Sequence, residues 1–204
     1  LLNTGQADVN MNDSAMNSPL FSSLFSVPEV AEQFSDRQFI HSMLEVEASL
    51  AAVEGQLGVI PTEAAEQIVS GAATLAIDFE QMRIQIEKAG VPVIELVRQL
   101  RRHVGGDAAN YVHWGATTQD IMDTACVLQL RAALTIMEVS LSDVVQNLAR
   151  LADEHRHTLM AGRTHSQHAL PIPFGLKAAG WLAPLLRDQQ RLHELKPRLL
   201  TVQF

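Results

Sequence analysis

Apolar positions recur in short helical blocks over the first half of the chain and in long ones over the second. From about Arg37 to Leu57, Phe39, Met43, Val46, Leu50 and Val53 fall at helical spacing, so one stripe of a helix is expected to face a core. Ser35 and Asp36 precede it with side-chain oxygens suited to cap its free N–H groups, and Gly58 follows as a stop. Pro61 is placed to open a second helix, filled by Thr62 to Ser70 and ended by Gly71. A third helix is expected over Asp78 to Lys88, broken by Gly90 and Pro92, and a fourth over Val93 to Val104, closed by Gly105-Gly106. Residues 18–110 therefore read as a small domain of short helices. Residues 1–17 are polar and lack periodicity, and are expected to be a disordered leader outside the fold.

The rhythm then lengthens. No glycine or proline interrupts Thr118 to about His157. Leu130, Leu134, Met137, Leu141, Val144, Leu148 and Leu151 form one stripe, and Ile121, Ala125, Leu128 and Ala132 a second. A helix apolar on two sides needs several partners. At 1.5 Å per residue it would be roughly 57 Å long, and such a helix needs equally long neighbours. Met160 to Pro173 reads as a linker. A second long pattern follows, with Phe174, Leu176, Trp181, Leu185, Leu192, Leu195 and Leu199 as its apolar set. Pro184 and Pro197 lie inside it and are expected to kink or interrupt it. Residues 111–204 are thus expected to be the first part of a helical bundle whose remaining helices come from other chains or from further sequence. The chain is read as the N-terminal portion of a larger protein, and the fold class as all-α.

Composition narrows the function. The 204 residues carry 15 Lys+Arg against 23 Asp+Glu, a net charge of −8, which is a poor basis for general nucleic-acid binding. No uninterrupted apolar run reaches the ~18 residues of a membrane span, and the first residues do not have the pattern of a signal peptide. One cysteine, Cys126, sits in the long apolar pattern and is read as a small core residue; a lone cysteine fits a reducing compartment, so a cytoplasmic location is expected. Dinucleotide and P-loop glycine signatures are absent, as are H-E-x-x-H and cysteine pairs, so neither a cofactor nor a metal site is expected.

Two segments concentrate hydrogen-bonding chemistry. His113-Trp114-Gly115-Ala116-Thr117-Thr118-Gln119-Asp120 leads into the first long helix. Thr117 with Asp120 has the form of a capping box, and the same helix start can hold an anion through its free N–H groups, its dipole and two hydroxyls. Gly162-Arg163-Thr164-His165-Ser166-Gln167-His168-Ala169-Leu170-Pro171 joins the two long helices with more polar side chains than a linker needs. His165 can handle a proton near neutrality, and Thr164, Ser166 and Gln167 can hold oxygens.

Taken together, G-A-T-T-Q-D at a helix start and G-R-T-H-S-Q-x-A-x-P about 45 residues later resemble the fumarase/aspartase superfamily over residues 18–204. The resemblance implies a cofactor-free homotetramer on a bundle of long helices, with active sites drawn from three subunits. A serine-bearing loop supplies the base in the lyases of that superfamily; it would lie beyond Phe204, so residues 1–204 alone are expected to be inactive. Phe34-Ser35-Asp36-Arg37, Tyr111-Val112 before the first motif, Met122-Asp123-Thr124 and Lys196-Pro197-Arg198-Leu199-Leu200 are most similar to the 3-carboxy-cis,cis-muconate cycloisomerase branch. Several bacterial members of that branch carry Trp where this chain has His165. The adenylosuccinate lyase branch is similar around Thr164-His165 and Phe174-Gly175-Leu176-Lys177, but its catalytic histidine is missing from Ala89-Gly90-Val91-Pro92-Val93-Ile94.

The resemblance implies lactonisation of a small polycarboxylate in aromatic catabolism. In that reading Thr117, Thr118 and Gln119 hold one carboxylate, Thr164 and Gln167 hold another oxygen, and His165 is catalytic. Asp120 orients the loop, and Lys177 either balances charge from a distance or is an ordinary surface residue. Alternatives are a C–N lyase that releases fumarate and a non-catalytic helical oligomer.

Overall fold

In a computed structural model of the chain, residues 21–204 are described. The expected leader at 1–17 lies outside them. Two short helices, α1 (Ser22–Phe25) and α2 (Pro28–Glu32), precede the first long element, α3 (Asp36–Gln56). Ser35 caps α3 by accepting from the Gln38 N–H, and Gly58 turns the chain away with a φ of 70°. The buried face of α3 carries Ile40, Met43, Leu44, Glu47, Ala51 and Glu54, one position off much of the expected stripe. Val53 is exposed, because the partners of α3 lie on the side where the two glutamates sit.

Helix α4 (Thr62–Thr74) runs through Gly71 rather than ending there. This glycine lets α4 approach the next helices closely: a Cβ there would lie 2.7 Å from Val104 Cγ2. Helix α5 (Phe79–Ala89) ends at left-handed Gly90, the break the sequence predicts, and is capped at its start by Asp78, which lies just outside it. Helix α6 (Val93–Val104) matches its expected span and ends on Gly105 and Gly106, both at positive φ. Glu95 is fully buried on α6 and is neutralised by Arg98 at 2.5 Å and Arg102 at 2.9 Å. Gln99 ties α6 to the start of α5, accepting from the Asp78 N–H and donating to the Asp78 carbonyl.

A 3₁₀ turn (Asp107–Tyr111) leads to α7 (Thr118–Glu154), the expected long helix. Its first turns join the main core: Ile121 and Ala125 cluster with Met43, Ile68, Met82, Leu96, Leu100 and Val112. Cys126 is exposed rather than in the core, because it lies about 100° around the helix from buried Ala125. The segment expected to be a linker is a β-hairpin, β1 (Leu159–Thr164) paired antiparallel with β2 (Gln167–Pro173). Two residues, His165 and Ser166, make its turn, and Ser166 takes the left-handed conformation that closes it, with a φ of 64°. The sequence conceals this hairpin because both strands are largely exposed and carry no alternating apolar face.

Helix α8 (Phe174–Leu199) then returns along α7, and Lys196 bonds Glu138 across the pair at 2.8 Å. It continues through Pro184 and Pro197 instead of breaking. Each proline removes an N–H, and the carbonyls four residues earlier, on Gly180 and His193, lie on exposed residues where water replaces it. By length and mean hydropathy α7 also meets the test for a membrane-crossing helix. Its packing against both α3 and α8 makes it a bundle helix here.

The start of α8 is pressed onto the end of α7 at Gly175, where a Cβ would lie 2.4 Å from the Ala152 carbonyl oxygen and 2.9 Å from Arg156 backbone atoms. Backbone cannot swing aside as the tip of Val104 can. Gly175→Ala is therefore expected to cost about 2 kcal/mol or more, whereas Gly71→Ala stays within about 1 kcal/mol because helix propensity offsets part of the clash. Chemical denaturation of the two variants checks the difference.

Candidate active site

The first candidate segment is built by the capping chemistry of α7. Thr117 is its N-cap in extended conformation. The Asp120 carboxylate accepts from the Thr117 N–H at 2.7 Å and from the Thr117 hydroxyl at 2.9 Å. Asp120 thus closes the first turn of α7, and the Thr117 hydroxyl proton is committed to it. The Gln119 side-chain amide donates to Asp123 one turn on. The Thr118 hydroxyl has no side-chain hydrogen bond among the described residues. Of the three predicted donors it is the one held free at the helix end, where unbonded N–H groups favour an anion.

The second segment is the hairpin turn. Thr164 and Gln167 face each other as the last strand pair, which places His165 at the tip. The Thr164 hydroxyl lies 3.5 Å from the Gln167 carbonyl, and Ser166 Oγ lies 3.4 Å from His165 Nδ1. All four side chains are exposed, as is the Arg163 guanidinium. Gly162 permits the strands to close, since a Cβ there would sit 2.3 Å from the Leu170 carbonyl oxygen. Lys177 lies outside both segments, its ammonium 5.1 Å from the centre of the Trp181 ring.

One chain does not bring the two segments together. Helix α7 has 37 residues and separates them by roughly 55 Å. The hairpin is anchored at the far end, where the Phe174 N–H bonds the Thr158 carbonyl and the Gly175 N–H bonds the His155 carbonyl. Its longer strand has seven residues and reaches roughly 23 Å at most. Even folded back along α7, the tip would stay roughly 30 Å from Thr118.

Beneath the first segment lies a polar cluster that motif reading missed. His113 Nδ1 is 2.6 Å from Glu47 Oε1, and Glu47 has no exposed side-chain surface. Glu54, two turns further along α3, approaches Gly115 of the same loop. Oε2 of Glu47 and Oε2 of Glu54 are both buried without a hydrogen-bond partner among the described residues. The available signal was the pair of glutamates at i and i+7 inside an otherwise apolar helix pattern. Among the described residues, the non-glycine residues at positive φ are His113 and Ser166, one in each segment. Such strain persists only where surrounding contacts fix it, and it gathers at functional sites.

The comparisons with known proteins agree with this architecture. A family described as lyase matches residues 25–204, and the chain belongs to it, within the fumarase/aspartase superfamily. Trans-aconitate decarboxylase 1 of Mycosarcoma maydis is 41% identical over 201 residues, 98% of this chain and 40% of that protein. The 3-carboxy-cis,cis-muconate cycloisomerase of Acinetobacter baylyi is 42% identical over 192 residues, 92% of this chain and 43% of that protein. Adenylosuccinate lyase of Methanothermobacter thermautotrophicus is 39% identical over 175 residues, 86% of this chain and 39% of that protein. Among solved structures, beta-carboxy-cis,cis-muconate cycloisomerase from Acinetobacter calcoaceticus superposes with a TM-score of 0.87 at 43% identity, covering 91% of this chain and 44% of that one. The chain therefore spans about two fifths of the length of the relatives it matches.

Burial, and then the charge of Glu47, raise the carboxyl of Glu54 above the ordinary glutamate range. The folded state therefore holds a proton that the unfolded chain has released, over the interval between the ordinary and the raised value. Stability falls as pH rises through that interval. Glu54→Gln is expected to flatten this part of the profile and to be more stable at neutral pH. Urea midpoints from about pH 4 to about pH 8 test it.

Proposed function

We propose that this chain belongs to a cofactor-free cycloisomerase that converts 3-carboxy-cis,cis-muconate into 4-carboxymuconolactone. The observation that carries the reading is the similarity to cycloisomerases from several bacteria, at 40–42% identity over about nine tenths of the chain. The α5–α6 junction Ala89 to Ile94, without a histidine, speaks against adenylosuccinate cleavage. The decarboxylase relative is also named for an unsaturated tricarboxylic acid, so an acid of that class as substrate has support beyond the cycloisomerases.

The chemistry is an intramolecular addition. A carboxylate oxygen attacks an alkene carbon conjugated to a second carboxylate, and negative charge gathers on that acceptor as an enolate-like species. Proton delivery to the neighbouring carbon completes the lactone. Preorganised donors lower the barrier most where the charge develops. In this proposal the start of α7, with the free Thr118 hydroxyl and with Thr117 and Gln119 beside it, holds one carboxylate. Thr164 and Gln167 hold another oxygen, and His165 transfers the proton. Asp120 keeps the helix start in shape through its bonds to the Thr117 N–H and hydroxyl. Lys177 acts, if at all, through its charge at a distance.

The separation of the two segments leads us to place them in one site only through assembly. A homotetramer satisfies this, and the exposed Met137, Val139 and Val144 of α7 and Trp181 and Leu186 of α8 supply an apolar surface for it.

Loss of the conjugated muconate ultraviolet absorbance on incubation with the complete gene product tests the activity; release of fumarate from a succinyl amine instead would favour the lyase reading. His165→Ala is expected to lower kcat by about 10²–10⁴. Thr118→Val is expected to act mainly on substrate binding. Co-refolding the two variants should restore part of the activity, because a mixed assembly contains sites in which both segments are intact; no recovery would refute the shared site.

A further inference from the structure

Glu47 is an expensive residue for α3 to carry. It is fully buried, and its only side-chain hydrogen bond among the described residues crosses 66 positions to His113. Its second oxygen has no partner, and the buried Glu54 carboxyl on the same face also has an unpartnered oxygen. A buried carboxylate in this condition destabilises a core relative to an apolar residue of similar volume. The packing of α3 therefore does not explain a glutamate at this position.

Its effect on His113 does. An ionised carboxylate only accepts, so with Glu47 ionised the 2.6 Å contact takes its proton from Nδ1. That leaves Nε2, across the ring, without a partner among the described residues, on a side chain that keeps 17% of its surface accessible. A neutral histidine side chain without such a partner favours the Nε2–H form; a fixed acceptor at Nδ1 reverses that preference. His113 also sits at a φ of 62°, four residues before the N-cap of α7, so holding its ring holds the loop that leads into the Thr117–Gln119 segment.

We propose that Glu47 is a positioning residue that acts through His113: it fixes the Nδ1–H form of the imidazole and leaves Nε2 free beside the start of α7. The inference deepens the proposed function and rests on it for the reaction that Nε2 would serve. Glu47 touches no substrate itself.

The test uses Glu47→Met, which keeps volume and removes the acceptor, with Glu47→Gln as the conservative variant. In ¹⁵N-histidine-labelled protein without substrate, long-range ¹H–¹⁵N spectra read the tautomer of His113, assigned by the signal lost in His113→Gln. The expected result is Nδ1–H in the wild type and a shift toward Nε2–H in Glu47→Met, with Glu47→Gln retaining the wild-type form through its amide oxygen. A wild type in the Nε2–H form, or a Glu47→Met spectrum identical to it, overturns the proposal. Thermal unfolding separates positioning from support: Glu47→Met should melt at or above the wild type, and a fall of more than about 5 °C marks a structural role and overturns it. In the turnover assay Glu47→Met should lose about tenfold or more in kcat, should be rescued by Glu47→Gln, and should lose nothing further when His113→Gln is already present. Unchanged kcat in Glu47→Met overturns the proposal as well. If the wild type leaves muconate unaltered while the tautomers behave as stated, the substrate assignment falls and the Glu47–His113 coupling stands.

Discussion

The length of one helix governs this molecule. α7 spans 37 residues without a break, and everything chemically distinctive lies at its two ends. At one end the capping pair Thr117–Asp120 starts the helix and shapes a donor-rich terminus. At the other, a hairpin clamped to the last turn holds His165 in solvent. A helix cannot shorten without losing hydrogen bonds, so roughly 55 Å stands between these groups whatever the side chains do. The apolar surface along the helix follows from the same fact. Its first turns are buried in the core of α3–α6, while Met137, Val139 and Val144 further along remain uncovered by their own chain.

The core at the base of α7 is built to receive it. Small residues bring helices close, as at Gly71 and at Gly55, whose added Cβ would lie 2.5 Å from Ala65 Cβ. Polar residues are admitted where they connect elements. Gln99 joins α6 to α5, Gln129 donates to the Gln33 carbonyl at 2.6 Å, and Thr124 exchanges two hydrogen bonds with the backbone of Gln203. Glu95 is fully satisfied by two arginines, whereas Glu47 and Glu54 are not.

Much of this was legible from residue order. The caps at Ser35 and Gly90 and the spans of α3, α5, α6 and α7 follow from local chemistry, which depends on few neighbours. The motif around Thr117 predicted its own hydrogen bonds, because a capping box is completed within four residues. What was hidden depended on distance. Gly71 reads as a helix stop until Val104 is placed against it. Cys126 reads as core until the uncovered side of α7 is known. The hairpin has no apolar alternation to announce it, and the Glu47–His113 contact joins residues that share no motif.

That rod has a mechanical consequence. α7 and α8 form an arm whose root is embedded in the core and whose tip, the hairpin, is bonded to the arm at its base. Rotating such an arm by about 5° at its root displaces the tip by roughly 5 Å, given its length. A hydrogen bond tolerates a few tenths of an ångström. The chain alone therefore cannot aim His165 with the accuracy that the proposed proton transfer demands; the aim has to be set locally, by whatever grips the tip.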